Sequence, residues 1–372
     1  MNRNKFIRNA VGTAVSIGSI SYWLSDKSNL VRANITPTDP NDKTLNPDEK
    51  EILFLASLAP SGHNTQPWFI QYIEPYHWII GNDRTKWLPA VDPTQRETLL
   101  SIGAFIQNLE YAAGSFSYVC HWNLIAITNQ DDRVMEVSLT KEATKSTFDI
   151  EKIKTRRTVR SNFLSDDLKK EDLDYLIDSE SDFIHYLPAA SKESQFISEQ
   201  TIEANRLQAY RDPAQRELAD WIRFSSHDAN AHRDGLTTGG MEIEGFSGWV
   251  VRNFYGKDHV MKSDFRERGI DQIKQEVSES AGWILITSKD SSVATLLETG
   301  RRMQRLFLKV REKSIAIHPM TQILEESSTQ KQLNSAIGIS DPIQFILRTG
   351  YVKNCPLPVS LRRPVEGLIR TL

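Results

Sequence analysis

Two helical patterns set half a chain apart constrain this fold more than any other feature. The stretch Gly103-Ala-Phe-Ile-Gln107-Asn-Leu109 lies in an apolar repeat of Ile102, Phe105, Ile106 and Leu109, the spacing of one helix face. Gly300-Arg-Arg-Met-Gln304-Arg-Leu306 repeats the G-x-x-x-Q-x-L signature 197 residues later, with Met303, Leu306, Phe307 and Val310 at the same spacing. Strand-like runs accompany both helices, at 121–128 and 134–139 in the first half and at 283–287 and 343–351 in the second. A duplicated α+β unit accounts for the arrangement, and 372 residues are enough for about two domains.

The expected boundaries follow from local signals. Residues 1–33 carry Arg3, Lys5 and Arg8, then an apolar stretch over 10–24, then small residues around Val31-Arg32-Ala33 at signal-peptidase spacing. This reads as an export segment. A retained membrane anchor or a cytoplasmic chain with a frayed first helix is the alternative. Residues 34–46 are polar and contain Pro37 and Pro40, a linker composition. Asn46-Pro47-Asp48-Glu49 then starts a helix, with a cap, a proline at the first position and acids in the first turn. The first half is taken as 47–148 and the second as 149–372. The second half includes an insertion near 189–280 without a counterpart in the first. Five glycines with Phe246 and Trp249 in residues 233–249 give that insertion a lid-like loop, or an ordinary surface excursion.

Two further segments carry chemistry. Ala-Pro60-Ser61-Gly62-His63-Asn64-Thr-Gln66-Pro67-Trp68 is a stiffened loop with short polar groups and one residue lacking a Cβ, suited to close backbone approach to a flat ligand. Thr155-Arg156-Arg157-Thr158-Val159-Arg160 places three guanidinium groups and a hydroxyl within five residues, which suits a phosphate. Arg362-Arg363 near the C-terminus offers two more charges. A net charge of −3 argues against a nucleic-acid surface. Cys120 and Cys355 alone supply neither a disulfide framework nor a cysteine metal site. Nucleotide-loop, dinucleotide, zinc-protease and serine-hydrolase motifs are absent from the sequence.

Together the P-S-x-x-N-x-Q-P-W loop and the R-R-T-x-R segment resemble the two halves of the flavin mononucleotide (FMN) site of the nitroreductase superfamily. The sequence is most similar to its fused, single-chain, Acg-type branch. The resemblance extends through 88–97 (L-P-A-V-D-P-T-Q-R-E) and 348–366. It implies a nitroreductase-like α+β fold, two tandem halves forming an intramolecular pseudo-dimer, and a central mixed or antiparallel sheet flanked by helices. It further implies one FMN per chain, because the loop occurs only in the first half and the basic segment only in the second. Pro60, Ser61, Gly62 and Asn64 would approach the ring, and Arg156, Arg157, Thr158, Arg160, Arg362 and Arg363 the phosphate. No dedicated catalytic residue and no metal are implied. NAD(P)H would act as transient donor in a ping-pong reduction of a nitroaromatic, quinone or similar small molecule, by a monomer or weak oligomer. Two alternatives stand beside this: a flavin-sequestering protein with a shut lid, and a flavin-free interaction domain. The Arg3–Arg8 stretch, R-N-K-F-I-R, resembles a twin-arginine signal with Asn4 in place of the second arginine.

Overall fold

The computed structural model describes residues 45–144 and 146–370. The expected export segment, and the linker up to residue 44, lie outside them. Among the described residues no helix is long and apolar enough to cross a membrane.

Among the described residues the first helix runs Pro47–Ser57. At its start the Glu49 carboxylate accepts the backbone N–H and the side-chain amide of Asn46, both at 2.8 Å. These bonds satisfy donors that a helix start leaves open. Ile52, Leu55 and Ala56 are fully buried, so the predicted apolar face is the one that enters the core. The chain continues into strand β1 (Trp68–Glu74), which pairs with β2 (His77–Asn82). β3 (Tyr118–Leu124) and β4 (Arg133–Lys141) complete the first meander. The strand expected over 121–128 starts and ends earlier, because the Asp131 carboxylate accepts the N–H groups of Ile127 and Thr128 and bends the chain out of the sheet.

The expected central sheet is resolved as two, one in each half. The first is five-stranded, ordered β11-β1-β2-β4-β3, and its edge strand β11 (Ile369–Arg370) lies parallel to β1. The C-terminal end of the second half thus closes the first half's sheet. The second is four-stranded and antiparallel, β5-β8-β10-β9, from Ile184–Pro188, Gly282–Thr287, Ile343–Tyr351 and Ile315–Pro319 respectively. A short pair, β6 (Ile222–Arg223) with β7 (Leu236–Thr237), belongs to the insertion.

Between the sheets the two signature helices, Arg96–Ser115 and Val293–Lys309, pack on each other. Leu99, Phe105 and Leu109 share one continuous core with Leu296, Met303, Leu306 and Phe307. The two signature glutamines both bridge the halves. Gln304 donates to Asn108 at 2.8 Å, and Gln107 accepts from Arg301 at 3.2 Å and Arg305 at 3.0 Å. The repeat seen in the sequence is therefore the contact surface between the halves, as an intramolecular pseudo-dimer requires.

The insertion carries helices over Lys192–Tyr210, Asp212–Trp221, Ser226–His232, Gly245–Phe254, Lys257–Val260 and Ser263–Ser278. The 233–249 stretch is not loop throughout. Trp249 sits inside the Gly245–Phe254 helix, stacked on Phe246 at 5.7 Å between ring centroids. The i, i+3 spacing of these aromatics outweighs the neighbouring glycines. Both cysteines are free thiols.

Candidate functional site

A cavity of about 460 Å3 opens where the two halves and the insertion meet. Its floor is the 60–64 loop, which leaves the end of the Pro47–Ser57 helix through a short 3-10 turn, Gly62–Asn64. His63, Asn64 and Gln66 all adopt positive φ, at 45°, 55° and 54°. Three non-glycine residues in the left-handed region within four positions is uncommon backbone, and such strain concentrates at functional sites. Gly62 has no such need. A Cβ there would meet only the Leu88 side chain at 3.2 Å and the Glu97 carboxylate at 3.7 Å, so its small size serves the cavity rather than the turn.

The loop is held by contacts distant in sequence. Asn64 Nδ2 donates to the carbonyls of Gly235 (3.1 Å) and Leu361 (3.2 Å), and its Oδ1 accepts from Arg362 (2.7 Å). Ser61 Oγ accepts the Gln66 N–H at 2.9 Å. Arg362 donates to the carbonyls of Ser57, Leu58 and Ala59 at 2.6–3.2 Å. Arg363 donates to the carbonyls of Gln66 and Trp68 at 2.6 and 2.7 Å. Trp68 packs beneath as fully buried core.

Eight of the ten residues expected to contact a cofactor line this cavity: Pro60, Ser61, Gly62, Asn64, Arg156, Thr158, Arg160 and Arg362. Asn64 and Arg362 serve there largely as scaffold, given their bonds to protein. Arg157 and Arg363 lie outside the lining. Arg157 instead donates to the Leu357 carbonyl (2.6 Å) and pairs with Glu242 (3.2 Å). That same Glu242 carboxylate accepts the Arg160 backbone N–H at 3.1 Å and the Ser161 hydroxyl at 2.7 Å. An internal carboxylate from the insertion thus occupies the Arg157 side of the basic segment. Its neighbours Gly240, Met241 and Ile243 line the cavity wall. Arg156 donates to the Leu58 carbonyl at 3.1 Å with its guanidinium 4.9 Å from the Phe307 ring centroid.

Several lining residues escaped the sequence reading. His63 was assigned no role in the loop, yet its Nδ1 is buried without a partner. Burial, and then the Arg160 charge, push its pKa down to about 4, so the ring is neutral at neutral pH. Glu97 and Glu325 also line the cavity, joined through the Thr321 hydroxyl at 3.2 Å to each. Burial first, then the neighbouring carboxylate, hold Glu97 well above the usual carboxylate range; burial raises Glu325. Nothing local assigns Glu97 or Glu325 this environment, because Glu97 and Thr321 lie over two hundred residues apart.

The raised Glu97 predicts a pH effect of definite sign. A proton bound in the folded state and not in the unfolded chain stabilises fully below the unfolded pKa, about 4.3, and that stability is lost as pH rises toward the folded value. Glu97→Gln should therefore gain on the wild type as pH rises from the unfolded toward the folded pKa, by up to about 1.4 kcal/mol per pH unit. Melting temperatures of both proteins across the range check this; a constant gap would show that Glu97 is ionised in the fold.

No protein-family model matches the chain. It is 21% identical over 338 residues to a Serratia protein named as an NAD(P)H nitroreductase, PigM, covering 85% of this chain and 91% of that one. It is 23% identical over 333 residues to a Mycobacterium tuberculosis protein named as an NAD(P)H nitroreductase, acg, covering 85% and 93%. Among solved structures, the FMN-dependent nitroreductase NfnB of Mycobacterium smegmatis in complex with NADPH aligns with 59% of this chain and 96% of its own. Identity there is 13% and the TM-score 0.35, too slight a likeness to argue from.

Proposed function

With the chain related along most of its length to the nitroreductase superfamily, we propose that it is an FMN-binding oxidoreductase. It would pass electrons from NAD(P)H to a small-molecule acceptor such as a nitroaromatic or a quinone. The observation that carries the reading is the meeting of the 60–64 loop with Arg156, Thr158 and Arg160 in one cavity, although nearly a hundred residues separate them. The cavity volume lies in the range of small-molecule sites. Its residues fit the cofactor's two demands. Arg156, Arg160 and the Thr158 hydroxyl offer charge and hydrogen bonds to a phosphate monoester. Gly62 and Ser61 offer close approach on the loop side. When bound, FMN would supply the hydride chemistry, and the chain would position it and exclude water.

The hold of Glu242 on Arg157, Arg160 and Ser161 favours a second reading, in which the insertion stays over the cavity and the protein sequesters flavin without turnover. One experiment separates the possibilities. The purified protein is expected to be yellow, with one FMN per chain, and to bleach when mixed anaerobically with NADH or NADPH in a stopped-flow instrument. Two FMN per chain would sink the single-site argument, and a colourless protein that rejects added FMN would end the oxidoreductase reading. A yellow protein that never bleaches would favour sequestration.

A further inference from the structure

On the wall of the cavity supplied by the second half, two polar side chains face each other with no other partner for their facing atoms. His318 on β9 and Glu276 near the end of the Ser263–Ser278 helix line the cavity, and each is 7% exposed. Nδ1 of His318 and Oε2 of Glu276 lie 3.5 Å apart, and neither makes a hydrogen bond elsewhere. The other Glu276 oxygen accepts from Gln272 at 2.8 Å. A buried polar atom left unpaired costs about 1–3 kcal/mol. Two such atoms turned toward each other avoid that cost if they share a proton.

We propose that Glu276 and His318 form a proton-donating pair for the acceptor reduced in this cavity. The inference rests on the oxidoreductase reading above. A quinone acceptor would gain two electrons and one hydrogen as hydride from the reduced flavin, and would gain its second hydrogen as the proton held between Oε2 and Nδ1. It leaves as the hydroquinone, and the pair regains its proton from water.

The surroundings suit both protonation states. Three charged groups act on the pair. Arg348 lies opposite His318 across the β9–β10 ladder and donates to the Glu276 carbonyl and the Arg160 carbonyl. Arg160 comes from the basic segment, and Glu242 from the insertion. Burial raises Glu276 above the usual carboxylate range, against the pull of Arg348 and Arg160. Burial, with those same two guanidinium charges, lowers His318 well below an ordinary histidine. With one proton shared between them, the pair carries no net charge. After donation its negative charge lies beside the Arg348 guanidinium, so the proton's departure leaves no unpaired buried charge.

The test is anaerobic stopped-flow on the flavin-loaded protein, reduced with NADPH and then mixed with menadione from pH 5.5 to 9, in H2O and in D2O. In the wild type, re-oxidation is expected to slow as pH rises and to show a solvent isotope effect. In His318→Gln and Glu276→Gln it is expected to fall about a hundredfold, the lower part of the range for a positioned general acid. It should also lose both the pH dependence and the isotope effect, while flavin stays bound and is still bleached by NADPH. Variants that re-oxidise at the wild-type rate with the wild-type pH profile would overturn the proposal and leave the oxidoreductase reading intact. Should both variants fail to fold, a wild-type re-oxidation without isotope effect or pH dependence overturns it equally. A wild type that binds no flavin would overturn both.

Discussion

Gly300→Ala and Gly103→Ala should each destabilise the protein by about 3 kcal/mol or more, lowering its melting temperature by roughly 5–10 °C. A Cβ on Gly300 would fall 2.0 Å from the Leu100 carbonyl oxygen, and one on Gly103 would fall 2.1 Å from the Leu297 carbonyl oxygen. Those oxygens are backbone atoms within two long helices, so no rotamer change relieves the clash. The helices would have to separate along the seam that joins the halves, loosening the core on both sides. Gly269→Ala is the control of opposite sign. It lies within the Ser263–Ser278 helix with nothing within 4 Å of its added Cβ, and should stabilise by about 0.5–1 kcal/mol. Calorimetry on the three variants checks the claim; a melting temperature for Gly300→Ala within a degree of wild type would show that the helices do not meet at these glycines.

Arg362→Ala should cost a comparable amount and abolish cofactor retention as well. The side chain is 2% exposed and serves four acceptors of the first half: the Ser57, Leu58 and Ala59 carbonyls and Asn64 Oδ1. Those carbonyls end the Pro47–Ser57 helix, where a cation also meets the negative end of the helix dipole. Truncation leaves buried acceptors unpaired, and hydrogen bonds to a charged group are worth about 1.5–3 kcal/mol each before any relaxation. Arg362→Lys should fail to rescue, since an ammonium cannot reach four acceptors spread around a planar fork. Arg157→Ala, which loses the Leu357 carbonyl and a largely buried pair with Glu242, should cost about 2–3 kcal/mol, less than Arg362→Ala, and leave the loop in place. Thermal melts together with flavin retained after gel filtration measure both effects. Equal losses from Arg157→Ala and Arg362→Ala would show that the loop does not depend on the C-terminal arginine.

These two cases mark where sequence reading stops. The glycines were visible as a repeat, and the apolar faces around them as helical, because apolar spacing reports a helix face directly. That the two faces meet at bare backbone is a property of the pair. Arg362 was visible as charge, and charge was read as ligand-binding; its burial against a helix end three hundred residues earlier turned it into scaffold. Arg157 followed the same course once Glu242 was found beside it. In the other direction, Glu276 and His318 carried no motif, and His63 and Glu97 lay inside quoted segments with no role assigned; all four became site residues only through what surrounds them.

By itself the sequence determined the α+β elements, the duplication, the loop and the basic segment, and the asymmetry that allows a single site. Each of these is local: a periodicity, a cap, or a run of residue types within a few positions. The tertiary structure alone decided which arginines face the cavity, which carboxyls keep their protons, and how closely the two central helices approach. Those properties depend on desolvation and on distances between residues up to three hundred positions apart, and both exist only once the two halves have packed together.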